Sequence, residues 1–151
     1  MRNTTFPLTL YYDSACPLCD GEMRNLMLRN TAGLLNFVDI ADPAFDAPPP
    51  NTNREQLMTL MHGLTTDGRV LRGVEVFRLA YGAVGIPQVA AITGLPLVAP
   101  LSEAIYARIA RHRYLVPRWL SNLIFGTVLR RAAERAARAN CANGNCALPR
   151  R

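Results

Sequence analysis

The sequence predicts an α/β fold in which a β-α-β-α-β-β-α core is followed by a C-terminal helical extension. Three observations point there. Two β-prone runs, Leu8-Thr-Leu-Tyr-Tyr12 and Leu34-Leu-Asn-Phe-Val-Asp-Ile40, flank a stretch with helical spacing of apolar residues. An Asp67-Gly68 turn separates two further short strand candidates. From Leu79 on, the chain contains segments with helical periodicity and no strand signal.

The elements follow in order. Leu8–Tyr12 is rich in β-formers and reads as a buried central strand. The first helix is expected from Pro17 to Asn30, with Leu18, Met23, Leu26 and Met27 on its packed side and Gly33 as a stop signal. Strand, helix and strand of these lengths make a βαβ unit, so the strands at 8–12 and 34–40 should be parallel. Residues 41–53 contain Asp42-Pro43 and Pro48-Pro-Pro50 and form a loop. A short helix is expected from Arg54 to Met61, with Leu57, Met58 and Leu60 inward. His62–Thr66 and Arg69–Arg72 form the hairpin around Asp67-Gly68, and Val74–Tyr81 the next helix. This is the thioredoxin-like order of elements.

Residues 79–102 carry no charge, a length that raises a transmembrane span. Pro87, Pro96 and Pro100 with Gly82, Gly85 and Gly94 break it into short pieces, so a buried helical turn at Gln88–Thr93 and a connector packed on the sheet are expected instead. Ser102–Arg113 is an amphipathic helix with Arg108, Arg111 and Arg113 crowding its end. Val116-Pro117 breaks it, and Trp119–Ala139 is a last helix with Leu120, Leu123, Ile124, Val128 and Leu129 on one side and a basic second half. The domain expectation is a redox core at 1–86, a helical extension at 87–139 packed on it, and a flexible cysteine-containing tail at 140–151.

The chemistry concentrates in Asp13-Ser-Ala-Cys16-Pro-Leu-Cys19. Residues three apart share a helix face, so Cys16 and Cys19 can close a disulfide with little backbone movement. A strand that delivers C-x-x-C to a helix start is the thioredoxin-like redox arrangement. At that start the unpaired N–H groups and the helix dipole favour an anion, which makes Cys16 the thiolate nucleophile. Cys19, one turn inside, is expected to be deeper and less exposed and to act as the resolving thiol. Pro17 suits the first helical position. Asp13 is either a proton partner of Cys19 or an acceptor of backbone N–H bonds that orders the loop. Pro17, Leu18 and His62 are candidate substrate contacts, although a structural role suits His62 as well.

A second pair, Cys141 and Cys146, is a candidate accessory dithiol relaying electrons to or from the core. The alternative is a metal module in which both pairs hold zinc or an iron–sulfur centre. The leading expectation has no metal and no cofactor. A further alternative is a membrane-surface adaptor with a non-catalytic domain.

With 151 residues, 50% of them apolar and 19% charged, the chain is a globular domain and not a disordered one. No secretory-type apolar run precedes the first strand, so the cytoplasm is the expected location. All 17 basic residues are arginine. Residues 1–80 carry 7 Arg and 9 acids, and residues 81–151 carry 10 Arg and 2 acids, so the surplus lies in the C-terminal part. That asymmetry fits either a solvated helix face or weak contact with an anionic membrane surface through the Arg-rich C-terminal helix. The expected partner is a disulfide-containing protein or small thiol, with no nucleic acid.

Three segments in order carry a resemblance. They are Tyr12-Asp13-Ser-Ala-Cys16-Pro-Leu-Cys19, Thr66-Asp67-Gly68-Arg69-Val-Leu-Arg-Gly73 and Tyr106-Ala-Arg-Ile-Ala-Arg-His-Arg113-Tyr114. Together they resemble the DCC family of thiol-disulfide oxidoreductases, named for its Asp, Cys and Cys, over most of residues 8–114. The resemblance implies a thioredoxin-like fold and protein-disulfide reductase activity with Cys16 and Cys19 as the redox pair. Thioredoxin-like proteins usually carry a cis-proline just before the third strand. Here that stretch is Leu60-Met61-His62-Gly63, which leaves room for His62 or Met61 to face the cysteines.

Overall fold

The computed structural model describes residues 5–125 together with 131, 134, 135 and 138. The tail cysteines Cys141 and Cys146, and most of the basic half of the last expected helix, lie outside the described residues. The elements run β1 (Leu8–Tyr12), α1 (Pro17–Arg29), β2 (Leu35–Asp39), α2 (Arg54–Leu57), β3 (His62–Leu64), β4 (Val70–Arg72), α3 (Val74–Ala83), α4 (Pro87–Thr93), α5 (Val98–His112), a 3-10 turn at Arg113–Leu115, and α6 (Arg118–Phe125). The first seven have the expected thioredoxin-like order.

The four strands form one mixed sheet in the order β2-β1-β3-β4. β1 and β2 are parallel, with Leu10 opposite Phe37, as a crossover connection through α1 requires. β3 runs antiparallel to both β1 and β4, with Leu10 opposite Gly63 and Gly63 opposite Leu71. The hairpin closes where Thr65 N–H donates to Arg69 O and Gly68 takes φ +85°, a conformation that suits glycine. α2 ends sooner than expected, at Leu57, and its start is fixed by a capping box between Asn53 and Gln56.

Side chains alternate along the strands, so each face has its own core. Leu8, Leu10, Met61 and Leu71 point to one face and pack with Met23 and Leu26 of α1 and Val76 and Ala80 of α3. Tyr11 points to the other, with Ile40, Leu57, Val38, Leu64 and Phe45 around it. Gly63 is small for a reason: a Cβ there would stand 3.1 Å from a Val76 methyl and 3.3 Å from a Leu8 methyl.

Those two cores explain a correction. The segment after α3 does not pack on the sheet as a buried turn and connector, because both sheet faces are already covered. Instead α4 lies against α3, where Arg78 donates from Nε to Thr93 Oγ1 at 3.2 Å and from Nη2 to Thr93 O. No residue of α4 is buried, and Leu97 is left 89% exposed. α5 also starts earlier than expected, at Val98, with Pro100 tolerated in its first turn. Among the described residues no single helix is long and apolar enough to cross a membrane; Pro87–Thr93 and Val98–Leu115 meet at a 103° bend.

Candidate active site

The strand-to-helix junction places the two cysteines as their spacing requires. Cys16 is the N-cap of α1, with extended backbone (φ −86°, ψ 113°), and Pro17 takes the first helical position. The Cys16 sulfur accepts the Cys19 backbone N–H at 3.3 Å, in the way a Ser or Asp oxygen caps a helix. Cys19 Sγ lies 2.7 Å from Cys16 Sγ and donates to it.

That donation splits the pair's acidities. The Cys16 thiol is pulled down to about 6, chiefly by the Cys19 S–H bond; the Cys19 N–H, the Arg113 charge and the Leu18 N–H help, and burial opposes. Cys19 moves the other way. It holds its proton more tightly because it gives that proton to Cys16, and burial and the Cys16 charge add to this. The pair is thus arranged as one thiolate and one thiol.

Exposure reverses the sequence expectation. As residues, Cys16 is completely buried and Cys19 is partly exposed. The spacing of the cysteines was read as if nothing lay over the helix start. In fact the C-terminal elements return there: Ser121 of α6 is buried and donates from Oγ to Pro17 O at 2.7 Å.

The same return brings a cation to the site. Arg113 is buried, and its Nη1 lies 3.8 Å from Cys19 Sγ. Its Nη2 lies 3.5 Å from Asp13 Oδ2 and donates to Met58 O and to Tyr114 OH. Tyr114 OH in turn donates to Asp13 Oδ2. Asp13, also buried, accepts the Ala15 N–H at 2.9 Å through Oδ1. Of the two roles read for Asp13, loop ordering is the one its hydrogen bonds display. Arg113, Tyr114 and Tyr106 were not singled out as site residues from the sequence. The available signal was the Tyr106–Tyr114 segment of the family resemblance; charge alone does not separate Arg113 from Arg108 and Arg111.

Beside Cys19 lies a cavity of about 300 Å³ with mainly apolar walls, including Leu18, Met23, Leu60, Met61, Phe77 and Tyr106. Of the two residues given room to face the cysteines, Met61 lines this cavity. His62 is not part of its lining; it is buried on the strand position next to Met61, where its Nδ1 pairs with Leu60 O at 2.8 Å. The Met61 N–H donates to Tyr106 OH at 2.7 Å, so the backbone just before β3 is already engaged by a side chain from α5. Among the described residues no group of three or more His, Cys, Asp or Glu is placed to hold a metal ion.

An uncharacterized chloroplastic protein of Arabidopsis thaliana is 35% identical over 112 residues, which cover 72% of this chain and 52% of the relative. The chain therefore spans about half the length of the curated relative it matches. No solved structure matches it. The family model for DCC1-like thiol-disulfide oxidoreductases matches residues 10–119, a stretch holding both cysteines, Asp13 and Arg113. The chain belongs to the DCC1-like thiol-disulfide oxidoreductase family.

Proposed function

We propose that the protein is a protein-disulfide reductase working through the Cys16–Cys19 dithiol. The observation that carries this reading is the sulfur of Cys16 at the cap of α1, accepting both the Cys19 N–H and the Cys19 S–H.

The Cys16 thiolate attacks one sulfur of a substrate disulfide. A Cys16–substrate disulfide forms, the substrate S–S bond breaks, and the leaving thiolate takes up a proton. Cys16 then no longer carries a negative charge, so the main grip on the Cys19 proton is gone. Cys19 gives up its proton to solvent, and the guanidinium of Arg113, 3.8 Å away, favours the thiolate formed. Cys19 attacks Cys16, the Cys16–substrate bond breaks as the Cys16–Cys19 disulfide closes, and the second substrate sulfur leaves as a thiolate that takes up a proton. Two electrons have passed from the dithiol to the substrate. Pro17 and Leu18, at the first turn of α1, are the expected substrate contacts, and Leu18 also lines the cavity.

The reading fits a reducing compartment, the cytoplasm being the one expected from the sequence, and a disulfide-bearing protein or small disulfide as partner. Cys141 and Cys146 are kept as candidate relay thiols. Reduction of a model disulfide by chemically reduced protein tests the core proposal. Cys16→Ser should abolish it, and Cys19→Ser should accumulate a mixed disulfide on Cys16. Unchanged turnover by Cys16→Ser would sink it.

A further inference from the structure

A nucleophile with no exposed surface cannot meet a protein disulfide, and Cys16 is 0% exposed. The element at its helix start is α6, which touches α1 through the Ser121 Oγ–Pro17 O bond at 2.7 Å. The way α6 is set is inverted for a soluble helix. Ser121 faces inward and is buried, while Trp119 and Leu123, one turn apart, are 67% and 73% exposed. Leu115, one turn before Trp119, is 78% exposed as well. An open depression of about 440 Å³ with both polar and apolar walls lies between α6 and α1, lined by Asp20, Arg24, Leu28, Arg118, Ser121 and Asn122 among others.

Apart from Asp20 of α1 across the depression, the charge in this stretch of the chain has one sign. No Asp or Glu occurs between Glu103 and Glu134, whereas Arg108, Arg111, Arg113, Arg118, Arg130 and Arg131 do. Of these Arg113 is committed to the redox site, and Arg108, Arg111 and Arg118 are exposed. An apolar stripe flanked by arginines and free of acids matches an anionic lipid surface better than a neutral or basic one.

We propose that α6 is a lid over Cys16 whose apolar stripe docks on an anionic lipid surface, and that docking draws it off the first turn of α1. The coupling follows from where the stripe ends. Trp119 and Leu123 already face outward, but Leu120, next in the stripe, is half-buried on the inner side. Seating all three in lipid turns the helix away from α1 and breaks the Ser121 Oγ–Pro17 O bond. The purpose of the lid rests on the reductase reading. Its existence does not, because access to a sulfur is measurable without turnover.

The test uses the full chain and two readouts. Trp119 is the only tryptophan, so its emission reports on α6 alone. Alkylation of Cys16, located by fragment mass, reports on the lid. Vesicles of phosphatidylcholine with phosphatidylglycerol should shift the Trp119 emission to the blue and raise the Cys16 alkylation rate at least severalfold. Added salt should reverse both, and phosphatidylcholine alone should do neither. Ser121→Ala should speed Cys16 alkylation without lipid, and Leu123→Ser should weaken the emission shift while keeping the probe. No emission shift with anionic vesicles, an equal shift with neutral ones, or a shift without faster alkylation each overturns the proposal. Loss of disulfide reduction with both lipid responses intact would overturn the reductase reading alone.

Discussion

Arg113 Nη1 stands 3.8 Å from the Cys19 sulfur across 94 positions of sequence, and the same guanidinium lies 3.5 Å from the buried Asp13 carboxylate. The side chains of Arg113 and Asp13 are 7% and 0% exposed, so each is the other's counter-charge in a buried setting. Replacing Arg113 with Met leaves a buried carboxylate without its cation, and such a break is destabilising by about 3–5 kcal/mol. Denaturant unfolding should read that loss, and Asp13→Asn combined with Arg113→Met should lose less than the two single changes summed. The Arg113 charge also helps to hold the Cys16 thiol down. The midpoint of Cys16 alkylation against pH should therefore move upward in Arg113→Met, an effect that lost packing alone does not predict.

In the unaltered protein that midpoint should fall at about 6, against an ordinary thiol value of 9.0. Thiolate is the reacting form, so the rate rises with pH and levels off above the midpoint. One pH unit below the midpoint the thiolate fraction, and with it the rate, is down about tenfold. Cys19→Ala removes the main cause of the shift, and its Cys16 profile should move toward the ordinary value. A profile that stays at about 6 in Cys19→Ala would contradict the assignment of the S–H donor.

The sequence carried the parts of this site that are local. A strand ending at Tyr12, a proline after Cys16 and two cysteines three apart define the cap geometry within eight residues, and all of that stands in the structure. What was not legible arrives from far away. Arg113 and Tyr114 reach Asp13 over 100 and 101 positions, and Ser121 reaches Pro17 over 104. No periodicity encodes such meetings; by sequence Arg113 is one more cation suited to the end of the helix expected at Ser102–Arg113. The exposure of the two cysteines was misread for the same reason, since it depends on which element lies over α1. Glu22 and Asn25 are a third case. Both are polar and both are buried on α1, and the Tyr81 hydroxyl that satisfies Glu22 lies 59 residues on.

Tyr106 ties α5 to the sheet beside the site. Its hydroxyl accepts the Met61 N–H at 2.7 Å, and its ring meets Phe77 edge-on at 5.6 Å between centroids. Tyr106→Phe keeps the ring contact and removes the acceptor, leaving a partly buried N–H without a partner at a cost of about 1–3 kcal/mol. Hydrogen exchange should show the Met61 amide losing protection, whereas the Gly63 and Leu64 amides of the same strand should change little. If Tyr106→Phe is as stable as the parent protein, the bond contributes nothing net.

Glu22 allows a prediction with the opposite sign, a stabilising change inside the core. Burial pushes its carboxyl up from the ordinary 4.5, and the bond from Tyr81 OH and the Arg29 charge only partly offset this. A raised carboxyl pKa means that the native state holds the proton more tightly than the unfolded chain does. The stability this gives is fully present below about 4.5 and is lost as pH rises through the folded value. Once the pH has risen past the folded value, the protein carries a buried charge that Glu22→Gln removes, while the amide oxygen of Gln still accepts from Tyr81. Above that value the variant should unfold at a higher temperature than the parent. The difference should shrink toward zero, or reverse, as the pH falls below about 4.5, where the parent carboxyl is neutral too. Thermal midpoints of both proteins across that pH range decide the matter: a difference that does not change with pH would mean that packing, and not ionisation, sets the effect of Glu22.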